Sequence, residues 1–87
     1  MKYNLEISDE LERIFIKLAK KSKKQLEIIN KKIEKILENP YHFKPLRGDM
    51  HGSRRVHIDK SFVLTYEIKE DIKIVRLLDY DHHDNIY

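Results

Sequence analysis

Apolar and polar positions change their spacing several times along this chain, and each change marks an element. Residues 2–7 alternate, with Tyr3, Leu5 and Ile7 on one side and Lys2, Asn4 and Glu6 on the other. A period of two is that of a half-buried strand. The spacing then becomes helical: Leu11, Ile14, Phe15 and Leu18 recur through about Lys21. Ser8 or Asp9 can cap this helix, and Asp9, Glu10 and Glu12 suit its positive end. "SKKQ" at 22–25 has the form of a capping box, so Ser22 opens a second helix. Its apolar stripe is Leu26, Ile29, Ile33, Ile36 and Leu37. Asn39-Pro40 ends it, because the residue before a proline is pushed out of the helical region.

Residues 40–52, "PYHFKPLRGDMHG", hold both prolines and both glycines and read as loop. Three strands follow: Arg54 to Asp59, Phe62 to Ile68, and Ile72 to Leu78, with a turn through Lys69–Asp71. Their short connections predict an antiparallel meander. The order of strand, two helices and three strands is that of an α+β fold. A helical hairpin should pack on one face of a four-stranded, mostly antiparallel sheet. The other face should be free of helices, and if Val56 and Ile58 face the helices, Arg55, His57 and Asp59 face away from them.

The chain has 87 residues, which suits one domain, 1–87, with one modest core. Cysteine is absent, which excludes a disulfide framework and a thiolate zinc site and fits a reducing cytoplasm. No apolar run reaches the ~18 residues that span a bilayer, and the first residues hold no apolar signal core, so neither membrane insertion nor secretion is expected. Lys and Arg number 18 against 15 Asp and Glu, a net charge of +3. The distribution matters more than the sum. Lys17, Lys20, Lys21, Lys23, Lys24, Lys31, Lys32 and Lys35 crowd the first half; Lys44, Arg47, Arg54 and Arg55 crowd the middle. Such groups are either solvated helix faces or a footprint for a polyanion, where they displace counterions from phosphates.

The end of the chain, "DYDHHDNIY", concentrates chemistry. His82 and His83 are adjacent, so on an extended segment they point opposite ways. Asp81, His82, His83 and Asp84 could bind a divalent ion weakly, the tail could be disordered, or one histidine could lie near the helix-free face. Ile86 and Tyr87 are apolar enough to pack down, and Tyr87 offers a ring on which a base can stack. His57 is either a satisfied structural histidine or part of a site with Arg54, Arg55 and Asp59. Imidazole, phenol and cations on one face suit cleavage of RNA by its own 2′-hydroxyl. That reaction needs a base, an acid and cations around the phosphorane. It needs no metal and no other cofactor.

The order of these pieces resembles the RelE/ParE superfamily of toxin–antitoxin proteins, most of all its RelE and YafQ-type ribonucleases. The resemblance covers nearly the whole chain and rests on Pro45, Leu46, Gly48, Gly52, Arg54, His57, Leu64, Tyr66, His83 and Tyr87. It departs at Ser53, where an aromatic is usual, at Ser61, where YafQ-like members have Asp, and at Val63, where RelE has Arg. The resemblance implies a RelE-like fold and a toxin that cuts messenger RNA in the ribosomal A site and stops translation. It also implies a cognate antitoxin that binds and silences it. By position, His83 would be the general acid, His57 and Tyr87 would join it in catalysis, and Arg54 would hold phosphate. Lys44, Arg47, Arg55 and Asp59 complete the expected substrate site. Two other readings share the fold: a ParE-like inhibitor of gyrase, and a basic interaction module without catalysis. The tail histidine and terminal tyrosine argue against the gyrase reading.

Overall fold

Ser8 and Ser22 open the two helices, as their hydroxyls suit them to do. In the computed structural model, which describes residues 3–44 and 53–82, the Ser8 side chain accepts from the Leu11 amide at 3.1 Å. It begins α1 (Asp9–Lys21), with three acids in the first turn and Lys20 and Lys21 in the last. Charges of these signs oppose the helix dipole at both ends. Ser22 serves both helices. Its N–H donates to Leu18 O at 2.8 Å and closes α1, while its hydroxyl accepts from the Gln25 amide at 3.3 Å and starts α2 (Lys23–Glu38). One residue therefore makes the whole connection. The Asn39 N–H donates to Lys35 O at 3.0 Å and ends α2 just before Pro40.

The strands are β1 (Asn4–Ile7), β2 (Ser53–Ile58), β3 (Phe62–Lys69) and β4 (Ile74–His82). They lie side by side as β1-β4-β3-β2. β2, β3 and β4 form the expected antiparallel meander, and β1 pairs with β4 in parallel. The sheet is thus mixed, and β1 and β2 are its two borders. Asp59 (φ 56°) lies in the turn between β2 and β3, and Lys73 (φ 53°) lies in the turn between β3 and β4. Left-handed backbone suits Asp better than Lys.

The last strand differs from the expected span of Ile72 to Leu78. Residues 70–73 form the turn, closed by Ile72 N–H to Lys69 O and Lys73 N–H to Glu70 O, both at 3.3 Å. Ile72 is consequently 57% exposed there. At its other end β4 runs on to His82, because the start of β3 continues to pair with it: Thr65 with Asp79, Val63 with Asp81, Phe62 with His82. A bulge beside Thr65 and Tyr66 inserts Leu78 and breaks the alternation that would have marked the strand's true length.

The core lies between the helices and one sheet face. Leu11 of α1 and Ile29, Ile33 and Ile36 of α2 pack against Val56, Ile58, Leu64, Tyr66, Val75 and Leu77. Tyr66 is fully buried, and its hydroxyl donates to Pro40 O at 2.6 Å. Burial pushes that phenol up to about 12. Tyr80 stacks on Phe62 (centroids 5.3 Å apart, planes at 10°) and receives a hydrogen bond from the Gln25 amide group. Among the described residues no helix is long and apolar enough to cross a membrane.

Candidate functional site

Register decides what the helix-free face carries. Val56 and Ile58 are buried toward the helices, so Arg55 and His57 point the other way. Cross-strand pairing extends each of them into a row. Arg55 leads through Thr65 to Asp79, and His57 leads through Val63 to Asp81. Arg55 and His57 thus border the face on β2 and carboxylates on β4, about 10 Å apart across two strand spacings. A third row, Ser53, Glu67, Arg76 and Glu6, is knit by ion pairs of Arg76 with Glu6 and, at 3.1 Å, with Glu67. Asp79 and Asp81 each accept from the next backbone amide, at 2.8 and 2.7 Å.

The middle of this face is closed rather than open. Val63 is 0% exposed and Thr65 5%. Val63, where the resemblance leads to an arginine being expected, is therefore a buried valine. Accessible nitrogen-bearing side chains gather instead at the β2 border, where His57 and Lys44 are exposed and Arg55 half-buried. A cleft of about 390 Å³ opens there, lined by Lys32, His42, Phe43, Lys44, Arg55, Val56 and His57. It brings together three expected site residues, Lys44, Arg55 and His57. Lys32 and His42 join them without having been singled out by sequence.

Residues 41–44 form the outer wall of the cleft and are tied down on several sides. The Arg55 N–H donates to Lys44 O at 3.0 Å. Arg54 points to the helix side, paired with Tyr66. Its Nη1 donates to Phe43 O at 2.7 Å and to Tyr41 O at 3.4 Å, and its guanidinium lies 5.1 Å from the Tyr41 ring centre. The His42 N–H donates to Asn39 O at 3.1 Å. Asp59 sits apart in the β2–β3 turn, exposed. His82, at the end of β4, presents its ring edge-on to Phe62 at 5.6 Å. Asp81 and His82 are consecutive on that strand, so they face opposite sides. Arg47, His83 and Tyr87 lie outside the described residues.

Glu70 anchors the same wall from the β3–β4 turn. Its Oε1 accepts from Tyr41 OH at 2.6 Å and Tyr3 OH at 2.7 Å, and its other oxygen pairs with Lys73. Donation from Lys73, then from Tyr41 and Tyr3, lowers its carboxyl from the ordinary 4.5 to about 2. The same bonds to Glu70 raise both phenols and the Lys73 ammonium. A carboxyl whose pKa is depressed on folding contributes stability above its unfolded value and loses it as pH falls. Wild type should therefore lose stability between about pH 4.5 and pH 2, and Glu70→Gln should lose less over that window. Urea midpoints at stepped pH measure this; parallel curves for the two proteins would refute it.

Residues 6–87 match the family model described as the ParE-like toxin of type II bacterial toxin-antitoxin systems. An uncharacterized protein of Methanosarcina mazei is 56% identical over 85 residues, covering 98% of this chain and 99% of its own length. A protein of Methanocaldococcus jannaschii named "Putative toxin RelE4" is 51% identical over 85 residues, covering 98% of this chain and 90% of its own. Among solved structures, the free E. coli toxin RelE, as a double mutant, superposes with a TM-score of 0.81 at 22% identity, over 98% of this chain and 87% of that one. YafQ in the E. coli DinJ-YafQ toxin-antitoxin complex gives 0.75 at 22% identity, over 100% and 99%.

Proposed function

This chain belongs to the ParE-like toxins of type II toxin–antitoxin systems, within the RelE/ParE superfamily, and from that premise we propose that it is a ribosome-dependent mRNA endoribonuclease. It acts in the cytoplasm, where it enters the A site and stops translation by cutting the message. The observation that carries the reading is the cleft at the β2 border, where Lys44, Arg55 and His57 converge with an aromatic floor at Phe43.

The 2′-hydroxyl of the message loses its proton to a base and its oxygen attacks phosphorus. The bond from phosphorus to the 5′ oxygen breaks, and an acid protonates that oxygen. The products are a 2′,3′-cyclic phosphate and a free 5′-hydroxyl. Lys44 and Arg55, with Arg47, hold the phosphate and stabilise the phosphorane's charge. His83 is the general acid, Tyr87 stacks a base, and His57 exchanges protons or orients the reacting groups. Arg54 gives Nη1 to two backbone carbonyls, so it serves by holding the wall that carries Lys44. Asp59, in the β2–β3 turn, does not line the cleft and has no part in holding the phosphate.

The same reading gives the chain a cognate antitoxin, as YafQ has in its complex with DinJ. A partner that binds only the folded toxin stabilises it by mass action. The toxin should melt at a higher temperature with its antitoxin than alone; equal melting temperatures would contradict this.

The ParE-like description of the family model favours a second reading, inhibition of gyrase. Induction of the chain in a bacterial host separates the two. The ribonuclease reading expects arrest of translation with new message ends. A DNA-damage response with intact messages would favour the other.

A further inference from the structure

We infer that Lys32 and His42 form a second phosphate site in the cleft, so that the RNA strand bends round the border of β2 from the helix-free face toward α2. The inference rests on the ribonuclease reading and adds two residues that take no part in bond cleavage.

The cleft crosses from one side of the sheet to the other. Val56 faces the helices and Arg55 and His57 face away, yet all three line one cavity. That is possible because β2 is a border strand. The segment ending at Lys44 runs beside it and is joined to it by the Arg55 N–H. A strand held at His57 and Arg55 therefore has a continuous path to Lys32.

α2 carries Glu34 and Glu38 among its lysines; these acids line the neighbouring groove with Lys31 and Lys35, and Lys32 borders both that groove and the cleft. Among the described residues the cleft has five cationic or imidazole side chains and no carboxylate. Neither Lys32 nor His42 forms an ion pair among the described residues. Both are steadied by Phe43 instead. The Lys32 ammonium lies 5.8 Å from its ring centre, and the His42 ring meets it edge-on at 5.0 Å. An ammonium and an imidazole around an aromatic floor suit a nucleotide, whose phosphate is anionic and whose base has a face to stack. At about 390 Å³ the cavity is in the range that holds one small ligand.

The test uses the full chain and a six-nucleotide single-stranded RNA with every 2′-hydroxyl methylated, which binds but cannot be cut. Affinity is measured across a series of salt concentrations for wild type, Lys32→Ala, Lys32→Arg, His42→Ala and Lys31→Ala, with folding checked by circular dichroism. Losing one phosphate contact should flatten the slope of log affinity against log salt by about 0.7. Lys32→Ala should show that change with a several-fold loss of affinity, and Lys32→Arg should restore both. His42→Ala should weaken binding, and Lys31→Ala, on the other groove, should bind as wild type does. Wild-type slope and affinity in Lys32→Ala and His42→Ala would overturn the inference, as would a wild type that fails to bind the oligonucleotide. It would also be overturned if those variants kept RNA binding but lost binding of a glutamate decapeptide, which would assign the cleft to an acidic protein partner. Message cleavage on programmed ribosomes by wild type is read in parallel. Cleavage with an unchanged slope removes only the second site; a changed slope without cleavage removes only the ribonuclease reading.

Discussion

His83→Ala should lower message cleavage on programmed ribosomes by roughly 10²–10⁴-fold, the usual loss when a general acid is removed. Its neighbour supplies the control. His82 lies at the end of β4 with its ring against Phe62, which itself stacks on Tyr80. Phe62 and Tyr80 belong to the helix side of the sheet, away from His57. His82→Ala should therefore cut close to the wild-type rate. Tyr87→Ala should weaken cleavage by about 1–3 kcal/mol, the worth of one base stacked on an aromatic ring. All three variants should still bind the antitoxin. If His83→Ala cuts as wild type does, the proton to the 5′ oxygen comes from elsewhere.

Tyr66→Ala should have the largest effect on stability. The side chain is fully buried between the helices and the sheet, and its hydroxyl satisfies Pro40 O. Removing a large buried ring costs about 3–5 kcal/mol. A domain of this size has roughly 4–13 kcal/mol in all, so the variant should be partly unfolded or close to it. Tyr66→Phe keeps the ring and strands a buried carbonyl, at about 1–3 kcal/mol. It should also loosen Tyr41–Lys44, which begin at that carbonyl, and so reduce cleavage beyond what its stability explains. Urea unfolding midpoints measure the first effect and cleavage at low temperature the second. An Ala variant with the wild-type midpoint would refute the assignment of Tyr66 as a keystone between the sheet and α2's exit.

Both helices were legible because their signals are local. Ser22 and Gln25 lie three residues apart and cap one turn, and the isoleucines of α2 recur within a few turns. The placement of Arg55 and His57 was legible for a similar reason: alternation against Val56 and Ile58 needs only adjacent residues. β4 was misread at its start because the turn takes up Ile72, and at its far end because Leu78 is an inserted residue and an insertion resets a period of two. The parallel pairing of β1 with β4 joins residues about 70 apart, and a four-residue strand carries no mark of its partner. Arg54 could be assigned to phosphate from its position in a motif, but its bonds to Tyr41 and Phe43 depend on how a loop folds back. Tyr3, Tyr41 and Glu70 meet across 67 and 29 residues. Lys32 was one helix lysine among many until α2 came to lie beside His42. Periodicity reports the faces of elements, whereas a cleft is made where unrelated elements meet.

The most direct test of the ribonuclease reading is to map message ends after adding the purified chain to ribosomes stalled on a defined codon. The account predicts new 5′-hydroxyl ends inside the A-site codon, formed only when ribosomes are present and lost with His83→Ala. An intact message under those conditions, together with inhibition of gyrase by the same preparation, would contradict it.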